Sequence, residues 1–186
     1  MTAQQYEQSL RRLNLVVYMF GRRIENVVDD PIIRPSMSAV AKTYELAHVP
    51  EHAAIMTASS HLTGQTVNRF THIHQNTDDL VKKTKMGRLL GAHTGCCYQR
   101  CVGMDALNAL SIVTYDMDAA LNTGYYERFL NYLFYVQQHD LTCDGAMTDP
   151  KGDRSRPPHA QADPDMFLHV VSKTADGIVV RGAKAH

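Results

Sequence analysis

The sequence predicts a mainly α-helical domain followed by the first strands of a β domain. Apolar residues recur at helical spacing over most of residues 1–143, a run rich in Gly, Pro and Asp follows at 144–154, and β-branched segments then flank Asp176-Gly177. Asp-Gly between two such segments is a strong hairpin signal. We therefore expect a helical domain at 1–143 and, at 144–186, a loop that leads into a sheet.

The helical domain is expected to open with one long amphipathic helix. Apolar residues from Tyr6 to Val27 alternate in steps of four and three, which is the period of a helix with one apolar face. Thr2 and Gln5 form a capping-box pattern at its start. Pro31 disfavours the helical conformation at the residue before it, so the helix should end near Asp29.

Four further helical regions are predicted. A second helix should run from Ser36 to about His48, and Pro50 suits the first turn of a short third helix. From Thr77 to about Asn122 the chain has no proline and keeps its apolar period, which predicts one long helix or two nearly continuous ones. Tyr125 to His139 gives a last amphipathic helix, whose aromatic side chains suit the core or a subunit interface.

The composition excludes several classes of function. Lys plus Arg and Asp plus Glu each number 19, so no net charge attracts the chain to nucleic acid or to an anionic membrane. No segment approaches the roughly 18 apolar residues of a membrane span, and the N-terminus lacks the pattern of a signal peptide. With 44% hydrophobic residues, the expected protein is globular and cytoplasmic, without nucleic-acid or membrane partners.

Two cysteines form a candidate metal site. Cys97 and Cys101 are four residues apart in a segment predicted to be helical, so both thiols are expected on one helix face, close enough to ligate one iron–sulfur cluster. Cys96 is rotated by roughly 100° from Cys97 and should not join them. Because free cysteine is also a common small core residue, the spacing alone leaves a packing role equally open.

The loop from Asp149 to Arg154 is a candidate anion or cofactor site. Its backbone N–H groups, with Lys151 and Arg154 nearby, suit a diphosphate or the edge of a flavin. The same composition also fits a plain domain linker, and the pattern by itself favours that interpretation.

Two strings carry a resemblance to a known family. They stand beside similar segments at 2–29, 33–36, 62–64 and 176–186, so the similarity covers essentially the whole chain. The strings are Cys97-Tyr98-Gln99-Arg100-Cys101 and Gly145-Ala146-Met147-Thr148-Asp149-Pro150-Lys151-Gly152-Asp153-Arg154. They resemble the 4-hydroxybutyryl-CoA dehydratases, within the broader 4-hydroxyphenylacetate 3-hydroxylase superfamily.

The resemblance implies two cofactors, FAD and a [4Fe–4S] cluster. Cys97 and Cys101 would be two of the four cluster ligands, and the other two, a His and a Cys, would come from a later helical region that is absent here. Gln99 would face the substrate. The flavin site would continue just past His186 and would be lined here by Met147, Thr148, Asp149, Pro150, Lys151, Gly152, Asp153 and Arg154.

The implied fold is an N-terminal helical bundle followed by a β-barrel, an acyl-CoA dehydrogenase-like architecture that this chain would hold only in part. The implied reaction is the dehydration of 4-hydroxybutyryl-CoA to crotonyl-CoA, with isomerisation of vinylacetyl-CoA. A flavin radical mechanism with the cluster as Lewis acid would drive it, in a homotetramer. The 186 residues alone would be inactive. Alternatives are a flavin-dependent 4-hydroxyphenylacetate 3-monooxygenase-like protein, which needs no thiolates, or a non-catalytic fragment.

Other polar groups have competing interpretations. His72 and His74 are possible metal ligands, although surface or capping roles are commoner for histidines near a helix start. A basic group on the following helix suits CoA phosphates or, as we favour, a solvated helix face. This group consists of Lys82, Lys83, Lys85 and Arg88.

Overall fold

The computed structural model describes residues 1–185, which divide into two compact units, one from Met1 to Asp144 and one that begins at Gly145. The first unit is mainly helical, as predicted. Its helices are α1 (Ala3–Arg12), α2 (Arg34–Ala47), α3 (Ala53–Met56), α4 (Thr77–Thr94), α5 (Cys101–Leu121) and α6 (Tyr125–His139). Its strands form two antiparallel hairpins, β1 (Val17–Met19) with β2 (Arg22–Ile24), and β3 (Thr57–Ser59) with β4 (Thr66–Asn68).

The prediction of one long first helix is wrong. α1 ends at Arg12, and the chain then forms the β1–β2 hairpin. Phe20 and Gly21 both have positive φ, at +50° and +75°, which is the conformation of the two-residue turns that suit strand twist. The β-branched pair Val16-Val17 ahead of this turn was the local signal for a strand, and it outweighs the helical spacing of the apolar residues.

The start of α1 is as predicted. The Thr2 side chain accepts a hydrogen bond from the backbone N–H of Gln5, and the Gln5 side chain accepts one from the backbone N–H of Thr2 at 2.8 Å. The second helix is confirmed as α2, and Pro50 begins a 3-10 turn that leads directly into α3. The β3–β4 hairpin was not predicted, because strands of three residues carry little periodicity.

The region from Thr77 to Asn122 forms two helices. α4 starts after Asn76, whose side chain accepts from the N–H of Asp79 at 3.1 Å, and it ends at Thr94, followed by the cap residue Gly95 with φ +63°. Six residues then separate it from α5. α6 has the predicted bounds.

Two apolar clusters form the core of the first unit, and α5 contributes to both through Met104 and Leu107. Full burial of a large apolar side chain stabilises a fold by about 1.5–3 kcal/mol, so the beginning of α5 is firmly anchored. One cluster contains Leu46, Met56, Phe70, Met86, Leu90 and Met104, and the other contains Ile73, Leu107, Phe129, Leu133 and Val136.

The second unit contains a long loop and one hairpin. β5 (His169–Thr174) pairs with β6 (Gly177–Arg181), and isolated bridges join Thr148 to Ala185 and Phe167 to Ala183. The hairpin is as predicted, but its turn is at Ala175-Asp176, and Gly177 pairs with Thr174 as the first residue of β6. Within residues 1–185 the strands form separate two-stranded sheets rather than a closed barrel. The last position of the resembling segment, His186, lies outside the described residues. None of the helices formed by residues 1–185 is long and apolar enough to cross a membrane.

Candidate functional site

The candidate cluster ligands lie on a loop. We call residues 96–101, between α4 and the first turn of α5, the cysteine loop. Cys97 precedes α5 and Cys101 is its first residue, so the prediction that both thiols project from one helix face is wrong. Gly95 takes a left-handed conformation that ends α4, and Gln99 has φ +60°, which turns the chain again before α5.

Exposed and buried side chains alternate along the cysteine loop. Cys97 and Gln99 are exposed, whereas Tyr98 is half-buried and Arg100 is only 1% exposed. The Tyr98 ring packs against Phe70 with the ring centres 5.7 Å apart. The loop is thus anchored at alternate residues and presents the residues between them to the outside.

The Tyr98 phenol links the two candidate ligands. Burial raises the pKa of Tyr98, and the nearby thiols of Cys101 and Cys97 raise it further. Both sulfurs therefore lie close enough to this phenol to raise its pKa, although they do not share a helix face. Both thiols are free, and Cys101 is half-buried.

Gln99 is held in a strained backbone conformation. A φ of +60° is uncommon for a residue with a side chain and costs of order 1–3 kcal/mol, which the surrounding structure must impose. Such strain concentrates at functional sites. Here it directs an exposed amide side chain outward between the two cysteines.

Arg100 reaches into the core from the loop. Its guanidinium carbon lies 4.3 Å from the centre of the Tyr44 ring and 4.5 Å from that of Phe70. One terminal nitrogen donates to the Thr43 hydroxyl at 2.9 Å, and the other lies 3.8 Å from the Asp140 carboxylate. Burial lowers the pKa of Arg100, which the neighbouring Tyr44 and Asp140 partly oppose.

The predicted flavin loop surrounds a cavity in the second unit. The cavity has a volume of about 440 Å³, and its lining includes seven of the eight predicted flavin-site residues. They are Thr148, Asp149, Pro150, Lys151, Gly152, Asp153 and Arg154. Met147, the eighth, is 75% exposed and its carbonyl accepts a hydrogen bond from Lys184 at 3.2 Å.

Gln161 organises this loop, and sequence analysis did not identify it. Its buried amide accepts from the N–H of Asp153 at 2.9 Å and donates to the carbonyls of Asp153 at 2.9 Å and Arg156 at 3.1 Å. A Cβ on Gly152 would lie 2.6 Å from the Gln161 side-chain oxygen, so a larger residue here would displace the Gln161 amide from its hydrogen bonds. No motif in the sequence marks Gln161.

The cationic side chains of the loop are available for an anionic ligand. Lys151 and Arg154 are exposed and have no ion-pair partner in the part of the chain that the structure describes. Asp149, by contrast, is paired with Lys184 at 2.6 Å.

His72 is buried and His74 is half-buried, whereas the sequence favoured surface or capping roles for both; His72 does cap a 3-10 turn. His72 is 3% exposed and lies 2.9 Å from Asp79, which also accepts from the buried Arg69 at 3.1 Å. Burial alone raises the pKa of Asp79, but the N–H of Gln75 together with His72 and Arg69 outweighs it, so the pKa falls well below its usual 3.8. Burial also lowers the pKa of His74, as do Lys83 and His72.

The basic group of α4 is partly neutralised. Lys82 pairs with Asp78 at 2.7 Å, and Lys83 pairs with Asp105 on α5. Lys85 and Arg88 are exposed. Among residues 1–185, no three His, Cys, Asp or Glu side chains are grouped so as to hold a metal ion.

The chain matches a known protein family over nearly its whole length. The family described as 4-hydroxyphenylacetate 3-hydroxylase, N-terminal, covers residues 2–186. The chain belongs to this family. Within this family, its sequence is 61% identical over 186 residues to a 4-hydroxybutyryl-CoA dehydratase/vinylacetyl-CoA-Δ-isomerase from Clostridium aminobutyricum. That alignment covers all of this chain and 38% of the relative, and it confirms the resemblance read from the sequence.

Solved structures of family members agree with this assignment. The fold superposes on an oxygen-tolerant archaeal 4-hydroxybutyryl-CoA dehydratase from N. maritimus with a TM-score of 0.91 and 50% identity, over all of this chain and 37% of that one. It also superposes on the oxygenase component of a 4-hydroxyphenylacetate 3-monooxygenase, complexed with FAD and 4-hydroxyphenylacetate, with a TM-score of 0.76 and 25% identity. That match covers 99% of this chain and 38% of the oxygenase.

Proposed function

We propose that this chain belongs to an enzyme that dehydrates 4-hydroxybutyryl-CoA to crotonyl-CoA and isomerises vinylacetyl-CoA. The 61% identity to a relative with this pair of activities, over the full chain, is the observation that carries the proposal. The monooxygenase structure is only 25% identical. The chain spans 38% of the dehydratase relative, so the proposal concerns the full-length protein, and residues 1–186 alone should be inactive.

Cys97 and Cys101 are proposed to ligate a [4Fe–4S] cluster. Thiolates are the usual protein ligands of such clusters, and both of these thiols are free on a loop that is anchored by its other side chains. Two ligands leave a cluster incomplete, and residues 1–185 provide no third ligand nearby. The proposed His and Cys partners would therefore come from sequence beyond this chain.

FAD is proposed to bind at residues 147–154. The cavity of about 440 Å³ and the two unpaired cations Lys151 and Arg154 both fit a phosphate-bearing cofactor. Gln161 fixes the loop without itself being charged, so the loop is organised before any ligand arrives.

The chemistry assigns distinct roles to the residues of this chain. The hydrogen at C3 of the substrate is not activated by the thioester, and the hydroxyl at C4 is a poor leaving group, so acid–base catalysis alone is insufficient. When bound, flavin and cluster supply one-electron chemistry and Lewis acidity. Gln99 would bind and orient the substrate beside the cluster, and Cys97 and Cys101 would hold one wall of the site.

The domain and assembly proposals follow from the same assignment. Residues 1–143 would form the helical domain that carries the cluster ligands, and residues 144–186 the flavin loop and the start of a β-barrel with acyl-CoA dehydrogenase-like architecture. The exposed aromatic side chains of α6, Tyr132, Phe134 and Tyr135, would suit a contact in a homotetramer. We also propose an acyl-CoA substrate and a cytoplasmic location.

The test compares two reactions of the full-length gene product. After anaerobic reconstitution with iron, sulfide and FAD, this protein should convert 4-hydroxybutyryl-CoA to crotonyl-CoA. The conversion is measured by chromatography of the CoA esters. The Cys97→Ala variant should lose this activity, whereas Cys96→Ala, which removes the adjacent exposed thiol, should keep it. Hydroxylation of 4-hydroxyphenylacetate with reduced flavin and O₂, without dehydratase activity, would instead establish a monooxygenase.

A further inference from the structure

Arg100 is a buried cation with few polar partners. It is 1% exposed, yet it makes one hydrogen bond, to Thr43. Its Nε and second terminal nitrogen have no hydrogen-bond partner in residues 1–185, and neither does the Asp140 Oδ1 that lies 3.8 Å away. Burying an ion is strongly unfavourable unless the ion is well paired. A poorly paired buried arginine is therefore less favourable for stability than an apolar side chain of similar size would be.

A second buried arginine in the same unit provides the contrast. Arg69 is 2% exposed and donates to the carbonyls of Ile55, Ala54 and Thr57 and to Asp79. Its hydrogen bonds join α3, β3 and α4, which is what a structural arginine does. Arg100 instead has its guanidinium between two ring faces. This packing fixes the position of the guanidinium but leaves Nε and one terminal nitrogen without hydrogen bonds.

Arg100 lies in the chain next to the residues of the candidate site, so its fixed position restricts their backbone. It lies between Gln99, at φ +60°, and Cys101, the first residue of α5. One turn later Gly103 packs directly against the backbone of Cys143. The buried side chain and this tight contact hold the start of α5 from two sides, so the exposed residues of the loop have little freedom.

We propose that Arg100 is a positioning residue: its buried guanidinium sets the orientation of the exposed Cys97 and Gln99 and of the half-buried Cys101. This inference rests on the proposed function, because orientation matters only if these residues hold a cluster and a substrate. Because Arg100 is 1% exposed, it would not itself contact the cluster or the substrate. It acts through the backbone of its two neighbours and through the strain it maintains at Gln99.

The first test uses thiol chemistry and needs no cluster. In the cofactor-free full-length protein, the alkylation rates of Cys97 and Cys101 by iodoacetamide are measured by peptide mass spectrometry relative to Cys96. Arg100→Met should change the ratio of the Cys101 rate to the Cys96 rate severalfold. Arg100→Lys, which keeps a cation between the rings, should restore part of the wild-type ratio. Arg69→Lys is the matched control, and it should leave the ratio unchanged.

The second test uses the reconstituted protein. Loss of a group that orients metal ligands typically weakens metal binding by about 10- to 100-fold, so iron loss from Arg100→Met to a chelator should accelerate within that range. The electron paramagnetic resonance spectrum of the reduced cluster should change as well. Arg69→Lys should keep the wild-type rate and spectrum.

The outcomes separate this inference from the proposed function. A wild-type protein that binds no cluster would refute the proposed function, while the alkylation ratios would still report on the loop. A wild-type protein that binds a cluster, with Arg100→Met and Arg100→Lys indistinguishable from Arg69→Lys in both tests, would overturn the role of Arg100.

Discussion

Gly103→Ala should destabilise the protein although it places a better helix former inside α5. In an open helix interior, Gly→Ala stabilises by about 1 kcal/mol. Here the new Cβ would lie 2.0 Å from the carbonyl oxygen of Cys143, 2.5 Å from its carbonyl carbon and 2.8 Å from its Cβ. Two of these atoms are backbone, so the overlap cannot be relieved by a side-chain rotation.

The expected magnitude follows from these two effects. Overpacking in a core typically costs about 1–3 kcal/mol, and three contacts this short place Gly103→Ala at or above the upper end. After the helix propensity gain of about 1 kcal/mol is subtracted, the net loss is about 2 kcal/mol. For a protein of this size, that loss corresponds to a fall in Tm of about 4–8 °C.

Gly91→Ala is the matched control for this experiment. Gly91 also lies inside a helix, α4, but a Cβ there meets nothing within 4 Å, so this variant should gain about 1 kcal/mol. Urea unfolding of both variants followed by circular dichroism measures the difference, expected at about 3 kcal/mol. If the two variants are equally stable, the tight packing of α5 against Cys143 is wrong.

Three further predictions concern the loops and a buried carboxylate. Gln161→Leu removes the hydrogen bonds that close the loop at 147–154, so trypsin cleavage after Lys151 and Arg154 should accelerate about tenfold or more, and an unchanged cleavage rate would show that Gln161 does not hold the loop closed. Asp79 has a pKa below its ordinary 3.8, so its contribution to stability is complete above that pH and is lost as the pH falls further. Asp79→Asn should therefore flatten the dependence of the free energy of unfolding on pH between pH 5 and about 2. An unchanged slope would contradict the lowered pKa of Asp79. Gln99→Gly should raise stability by about 1 kcal/mol while lowering dehydratase turnover, and a loss of stability would show that the positive φ carries no strain.

The sequence was sufficient for elements whose local signals agree with their surroundings. α6 has the predicted bounds, and the predicted β5–β6 hairpin forms, with its turn one residue before Asp176-Gly177. In the first 30 residues the signals compete. The apolar period favours a helix, whereas Val16-Val17 and the Phe20-Gly21 turn favour a hairpin, and tertiary contacts such as the Arg11–Asp29 ion pair accompany the hairpin.

The sequence proposes residues for the candidate site, but the geometry that it predicts for them is wrong. The string from Cys97 to Cys101 marks the proposed ligands through resemblance. Helical spacing predicts the wrong arrangement for them, because left-handed residues at Gly95 and Gln99 interrupt the helix. Sequence patterns do not identify the residues that support the site. Arg100 and Gln161 matter through long-range burial and hydrogen bonds that no local periodicity encodes.

Iron analysis of the reconstituted full-length protein tests the central claim most directly. Wild type and Cys96→Ala should bind about four irons per protomer, as a [4Fe–4S] cluster requires, and should show the spectrum of a reduced cluster. Cys97→Ala and Cys101→Ala should each lose the cluster. A full iron complement in either of these two variants, with an unchanged spectrum, would contradict the assignment of the cysteine loop as the cluster site.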